Sequence, residues 1–455
     1  MQRGEAVTAT RALARFTAGL SWPGLPPPVQ AETRRALLNW FGCAVGGAGE
    51  ATYAALHRTL GTPGAAWLAG RGEGAEPGAA AVLNGFAASH YCYDDTHLET
   101  VIHPTAPVLA AALAAAAASP RAVDGAALLA ALVAGDEVAC RVGRALMTGP
   151  RPASIGWYMT GVAGTLGAAA AAGRVLGLGE GAMVAALGLA ASQAAGLRAA
   201  HASAASPLVP GLAARGGLTA ALLAGAGIGC QDGALEGPKG LLACFAPGNP
   251  PDPLTAGLGI RFAFSDIAYK PYPCGVAVHP AIDGCLAVLE AAGPAAPAPE
   301  AIARVEVAVD PLAAALCLRE PVETVFDAQV SVAHWCAAVL VFGAAGLAQA
   351  RQACVDRPEV RALRRRVAAA ADPALAADQA RVAVLLTDGR WLEAAVAHAT
   401  GSLANPLTEA ALRRKAFDQM APALGEARAA RLLELLDRAE ALPDLGVLLE
   451  AAGPA

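Results

Sequence analysis

Alanine runs constrain this chain more than any other feature. Residues 108–118 read VLAAALAAAAA and residues 161–172 read GVAGTLGAAAAA. The chain is 55% hydrophobic but only 5% aromatic, so alanine and leucine must build its core. Alanine is the best helix former, and small side chains let helix axes approach closely, so these runs predict closely packed helices. Gly161, Gly164 and Gly167 recur every three residues inside such a run, a spacing that suits close packing better than a phosphate loop. Three stretches, 162–178, 182–197 and 216–230, approach membrane hydropathy. Each falls short of the roughly 20 residues a span requires, and Arg174, Gln193 or Gln231 interrupts or bounds it, so buried core helices are expected and no membrane association.

With 455 residues, the chain is long enough for more than one core. Helical patterns separated by turns such as Gly61-Thr62-Pro63-Gly64 fill the first part. After Lys270 the texture changes. Residues 304–309 (RVEVAV) alternate with period two, and 381–386 (RVAVLL) and 390–396 (RWLEAAV) flank Asp388-Gly389, a hairpin signal. Helical segments are expected at 330–350 and 357–371. Helix returns over 408–442, with Thr408 as N-cap and Glu409 in the first turn. The predicted fold class is mostly α: a large all-helical domain over 1–267, a smaller α+β domain over 268–402, and C-terminal helices over 403–455 that return to the large domain.

The net charge of −5 and the lack of a basic cluster interleaved with aromatics argue against nucleic acid as a partner. The ten cysteines are scattered without a CxxC pair, which suits buried small hydrophobes better than a zinc site or disulfide framework. The N-terminal residues lack the pattern of a signal peptide, so a cytoplasmic location is expected.

Against this weakly charged background, residues 90–107 (HYCYDDTHLETVIHPTAP) stand out, gathering Asp94, Asp95, Thr96, His97, Glu99 and His103. Set against the apolar run that follows, they would be partly buried, where carboxylate and imidazole pKa values shift. The spacing of Asp94, His97 and His103 is loose for a metal set, and no metal is expected. A second island, 269–280 (YKPYPCGVAVHP), holds Lys270 in extended chain between domains, because Pro271 and Pro273 bar helix. A lysine there can bind a carboxylate or, desolvated, serve as a base. His279 can equally cap the helix that begins near it.

These islands, with Leu235-Glu236-Gly237, Asn405-Pro406-Leu407-Thr408 and Lys415-Ala416-Phe417, resemble the MmgE/PrpD family over nearly the whole chain. The family includes 2-methylcitrate dehydratase, cis-aconitate decarboxylase and an iminodisuccinate epimerase. The resemblance implies a homodimer, a small carboxylate substrate, an active site between the two domains and no cofactor. Asp94, Asp95, Thr96, His103, Lys270 and His279 keep the family residue types. Other positions depart: Cys92 replaces an acid, Tyr158 a histidine, and Ser206, Val209 and Leu212 replace a lysine, a histidine and an arginine. His334 stands at a usual tyrosine position. By this resemblance Lys270, His103 and Tyr158 are the candidate catalytic residues, and Cys92, Asp94, Thr96, Ser206 and His334 the candidate substrate-binding ones. The departures imply a pocket poorer in positive charge, and a Tyr158 base would need Lys270 to lower its pKa. The leading expectation is a lyase of the hydro-lyase type, 2-methylcitrate dehydratase-like, acting by proton transfer at the carbon alpha to a carboxylate. The alternatives are an epimerase or isomerase with Lys270 and Tyr158 as opposed acid/base groups, and a ligand-binding paralogue without turnover.

Overall fold

The computed structural model describes residues 7–454. Two alanine-rich helices, Thr105–Ala118 and Met159–Val175, lie almost wholly buried at the centre of a helical body. Around them pack Pro27–Gly47, Pro77–Ser89, Gly125–Met147, Glu180–Ala191 and Leu208–Gly225. Glycine and alanine make the close crossings possible. A Cβ on Gly161 would fall 2.1 Å from the Ala195 carbonyl oxygen, one on Gly164 2.7 Å from Pro107, and one on Gly167 2.6 Å from the Gly135 carbonyl oxygen. Helices Glu409–Leu424 and Glu426–Leu436 bring Leu412, Met420, Leu433 and Leu436 into this same core. Thr408 caps the first of them through Ala411 N. Leu208–Gly225 is long and apolar enough to cross a membrane, yet half of it is buried within the body.

A second core forms between helices His279–Ala292 and Val332–Phe342 and one face of a four-stranded sheet. In that sheet Ile302–Val309 pairs in parallel with Val367–Ala371 and antiparallel with Ala380–Leu386, which pairs antiparallel with Trp391–Val396. Val305, Val307 and Val309 point inward while Arg304 and Glu306 point out, as the alternation predicts. Gly389, at φ +88°, makes the tight turn expected of Asp388-Gly389. Two expectations fail here. The helix expected over 330–350 runs only from Val332 to Phe342, where Gly343 turns left-handed at φ +66°. Residues 357–371 are not one helix: helix Pro358–Arg364 gives way to strand Val367–Ala371. That alanine segment has high helix propensity, but the hydrogen-bonding groups of the neighbouring strand Ile302–Val309 outweigh it.

Gly211 touches the turn of helix Pro77–Ser89 so closely that a Cβ would sit 2.4 Å from the Val82 carbonyl oxygen. Gly211→Ala is expected to cost about 1–3 kcal/mol through overpacking, read as a lower midpoint in urea denaturation. An unchanged midpoint would show that these helices do not pack as tightly as described.

Candidate active site

The two polar islands are joined by a short antiparallel pairing, with Thr96 opposite Ala268 and His97 opposite Ile267. Carried two residues further, that register sets Asp94 across from Lys270. The Lys270 Nζ donates to the Cys92 carbonyl oxygen at 2.9 Å and to Asp94 Oδ1 at 3.2 Å, and lies 3.5 Å from Cys92 Sγ. Cys92 adopts a left-handed backbone (φ 51°). Asp94 also accepts from Ser89 Oγ at 2.6 Å. Burial opposes both charges. For Asp94 it is outweighed by His103, Lys270 and Ser89, which hold the carboxyl below its ordinary range. For Lys270 it is outweighed by Cys92 and Asp94, which hold the ammonium above the ordinary lysine value. Lys270 is therefore not the depressed-pKa base that its position between the domains suggested.

His103 Nδ1 lies 2.8 Å from the Asp95 carbonyl oxygen and 3.1 Å from Thr96 Oγ1. A carbonyl oxygen only accepts, so Nδ1 carries the proton and Nε2 keeps its lone pair. Burial pulls the imidazole pKa down to about 4, so the ring is neutral near pH 7. The His103 ring meets Tyr158 edge-on with centroids 6.3 Å apart. Tyr158 precedes helix Met159–Val175 and is pinned by its backbone N–H to the Gly196 carbonyl at 3.0 Å. Burial first, then the negative charges of Asp94 and Cys92, push the phenol above its ordinary value despite Lys270 and Arg198. The environment thus favours a proton donor, contrary to the lowered pKa that a tyrosine base requires.

His103, Tyr158, Cys92 and Ser206 line one cavity of about 50 Å³, together with Arg198 and His201. The last two escape sequence reasoning. Arg198 lies with its guanidinium carbon 5.7 Å from the Tyr158 ring centroid and, among the described residues, spends only Nε on a partner, the Ile155 carbonyl at 2.9 Å. His201 also meets the tyrosine edge-on, with ring centroids 4.5 Å apart. Burial brings the His201 pKa down to about 3. The expected loss of positive charge is offset in part: Ser206 lines the cavity and Leu212 is half exposed on helix Leu208–Gly225, and Arg198 supplies one cation from the preceding segment. A groove of about 330 Å³ lined by Arg198, His201, Leu316 and Arg319 leads outward.

Of the remaining expected residues, Asp94 and Thr96 stand behind the cavity, in contact with Lys270 and His103. His334 is not brought to it. Ser331 caps helix Val332–Phe342, and the helix turns His334 into the small-domain core beside Trp335. His97 bonds to Thr100 at 2.8 Å and Glu99 to Arg144 at 2.6 Å, both away from Lys270. Asp94, His97 and His103 form no convergent metal set among the described residues. His279 begins helix His279–Ala292, buried and edge-on to Tyr272 at 5.3 Å.

Two further groups lie behind the loop. The Thr105 hydroxyl touches Asp95 Oδ2 and, at 2.8 Å, Asp136 Oδ2. One hydroxyl proton serves only one acceptor, so the other carboxyl must carry a proton and donate. Burial raises the Asp95 pKa to about 7 and that of Asp136 well above its ordinary value. Lys415, seen in the sequence only as part of a motif, donates to Asn39 Oδ1 at 2.7 Å and to the Tyr93 carbonyl at 2.8 Å. Burial lowers its pKa to about 8.

Residues 11–254 match the MmgE/PrpD N-terminal domain and residues 272–440 the MmgE/PrpD C-terminal domain. The chain belongs to the MmgE/PrpD family. Its relatives include the cis-aconitate decarboxylase of Aspergillus terreus, 31% identical over 284 residues, covering 59% of this chain and 58% of that protein. The cis-aconitate decarboxylase of Homo sapiens is 34% identical over 217 residues, covering 47% of this chain and 44% of the relative. Each match thus spans less than two thirds of the relative's length.

Removing one partner of a buried ion pair strands the other, at a cost of about 3–5 kcal/mol. Asp94→Ala should therefore destabilise the protein by that order in urea, and Asp94→Leu with Lys270→Met together should cost less than Asp94→Ala alone. Equal losses would rule out the pairing. Stability should also fall with acidification. His90, His97, His103 and His334 are held neutral to about pH 4 and His201 and His279 to about pH 3, against an ordinary 6.5, so the unfolded chain binds more protons as pH drops below about 6.5. Asp95 and Asp136, with raised pKa values, act in the opposite sense but are fewer. The unfolding free energy at pH 5 is expected to lie below that at pH 7.

Proposed function

We propose that this family member is a lyase of the hydro-lyase type, which removes a proton from the carbon alpha to a carboxylate of a small hydroxy acid and expels water. One observation carries the reading: the His103 imidazole, whose Nδ1 faces the Asp95 carbonyl, and the Tyr158 phenol line one cavity beside the Arg198 guanidinium, which no carboxylate pairs among the described residues. Arg198 would hold the substrate carboxylate through its two terminal nitrogens, a charge-assisted contact worth about 1.5–3 kcal/mol. Its positive charge stabilises the negative charge that develops next to that carboxylate. His103 Nε2 takes the alpha proton, the C–O bond at the neighbouring carbon breaks, and the leaving hydroxyl takes the Tyr158 proton as water. Once product leaves, the imidazolium proton returns to the phenolate. Lys270, held as an ammonium by Asp94, acts as a standing positive charge behind the site rather than as the base.

The raised phenol pKa is what favours elimination over epimerisation, since an epimerase needs a second base opposite the first. The names of the relatives favour a second reading, decarboxylation, in which a carboxylate departs as CO₂ and the tyrosine protonates the carbon left behind. Proton NMR in deuterated water, with a panel of hydroxy, imino and unsaturated carboxylic acids, separates these outcomes. An alkene with one carbon chain intact supports the hydro-lyase, CO₂ release the decarboxylase, and alpha-deuterium with inversion the epimerase; no change on any member favours a binding protein. His103→Gln should lower kcat by about 10²- to 10⁴-fold, the usual worth of a general base. In the wild type the acid limb of kcat/KM should fall near pH 4 rather than 6.5. A limb at the ordinary histidine value would remove His103 from the role of base.

A further inference from the structure

We infer that the substrate is a monocarboxylate bearing an uncharged, mainly aliphatic substituent, and that Val101 limits the size of that substituent. The inference rests on the proton-transfer reading of the same cleft but concerns what fills it.

The first argument is a count of charges. Among the described residues lining the cavity, Arg198 is the one permanently charged side chain. Among the described residues no carboxylate pairs with it, and its terminal nitrogens make no hydrogen bond. Lys270 is committed to Asp94 and to the Cys92 carbonyl. One planar guanidinium matches one carboxylate through parallel hydrogen bonds. Arg319, in the adjoining groove, is paired with Asp327 at 2.9 Å, so a second or third carboxylate would meet no uncommitted cation among the described residues.

The second argument is the shape and chemistry of the neighbouring space. A second cavity, of about 80 Å³, shares Val101, Val276, Ala277 and Leu316 with the first. Leu98, Pro280 and Leu312 extend its apolar lining. Its charged side chains are the carboxylates of Asp310 and of Asp378, the latter paired with His398 at 2.7 Å, and its polar ones are Thr400, Ser402 and a His279 that burial keeps neutral, so it offers an anionic group no cation. A substrate held at Arg198 can direct an aliphatic branch there but not a second carboxylate.

Val101 stands in the shared wall with φ +53°. The left-handed region is a marked outlier for a β-branched residue, and such strain persists only where the surroundings impose it. Its backbone N–H donates to the His97 carbonyl at 2.8 Å, which anchors the turn. The isopropyl group is thereby fixed where the two cavities meet.

The test uses the full-length protein and two unreactive probes, 3-methylbutanoate and propane-1,2,3-tricarboxylate, titrated by calorimetry. The branched monocarboxylate is expected to bind at least ten-fold more tightly than the tricarboxylate. Arg198→Gln should weaken it ten-fold or more, with Arg198→Lys, which keeps the charge but loses the fork, falling between and circular dichroism checking the fold of each. Val101→Gly should shift the preference toward longer branches such as 4-methylpentanoate. Tighter binding of the tricarboxylate, no saturable binding of 3-methylbutanoate, or indifference to Arg198→Gln overturns the substrate class; an unchanged length preference in Val101→Gly overturns the role of Val101. Selective monocarboxylate binding with no turnover of any acid would leave this inference standing and remove the lyase reading. Turnover of tricarboxylates would do the reverse.

Discussion

The cleft depends on one buried ion pair. Lys270 belongs to the segment that opens the small domain and Asp94 to a loop of the helical body, and both are almost completely shielded from water. Such a pair is not a cheap source of stability, because desolvating two charges offsets much of their attraction. Its value is positional. Once buried, each charge requires the other, so the loop carrying Asp94, Thr96 and His103 cannot drift from the segment carrying Lys270. The two-residue strand pairing beside it sets the register, and the ion pair locks it.

Proton inventory in the loop follows from the same burial. Asp95 uses its carbonyl to fix the His103 tautomer and its carboxyl to reach Thr105. Beyond Thr105 lies Asp136, so two adjacent acids, Asp94 and Asp95, have opposite protonation tendencies. Asp94 is held ionised by a cation and a hydroxyl. Asp95, more deeply desolvated and beside the Asp94 charge, is pushed toward its protonated form. Identical side chains in sequence become different chemical groups through their partners.

Much of the scaffold was legible because it depends on local pattern. The alanine runs, the glycines at close crossings, the alternation at 304–309 and the turn at Asp388-Gly389 each encode a period or a backbone requirement that neighbours in sequence can express. Strand Val367–Ala371 was misread because its pairing partner lies some sixty residues away and alanine itself prefers helix. The polar islands were legible as chemistry, since charged groups amid alanine demand a reason. Arg198 and His201 were not, because they sit in a stretch of small residues with no period, and only the fold brings them against Tyr158. His334 shows the converse: a histidine at a family position can be turned into a core by the helix that carries it. The directions of the Lys270 and Tyr158 shifts were equally hidden, since each depends on which charges lie within a few ångströms.

Cys92 changes meaning in this light. What grips Lys270 at position 92 is first the backbone carbonyl, presented by a left-handed turn, with the sulfur farther off. A main-chain oxygen is offered by every amino acid. The hydrogen bond that holds the lysine therefore survives a change of side chain at that site wherever the new residue accepts the left-handed turn, while the sulfur adds an electrostatic hold of its own.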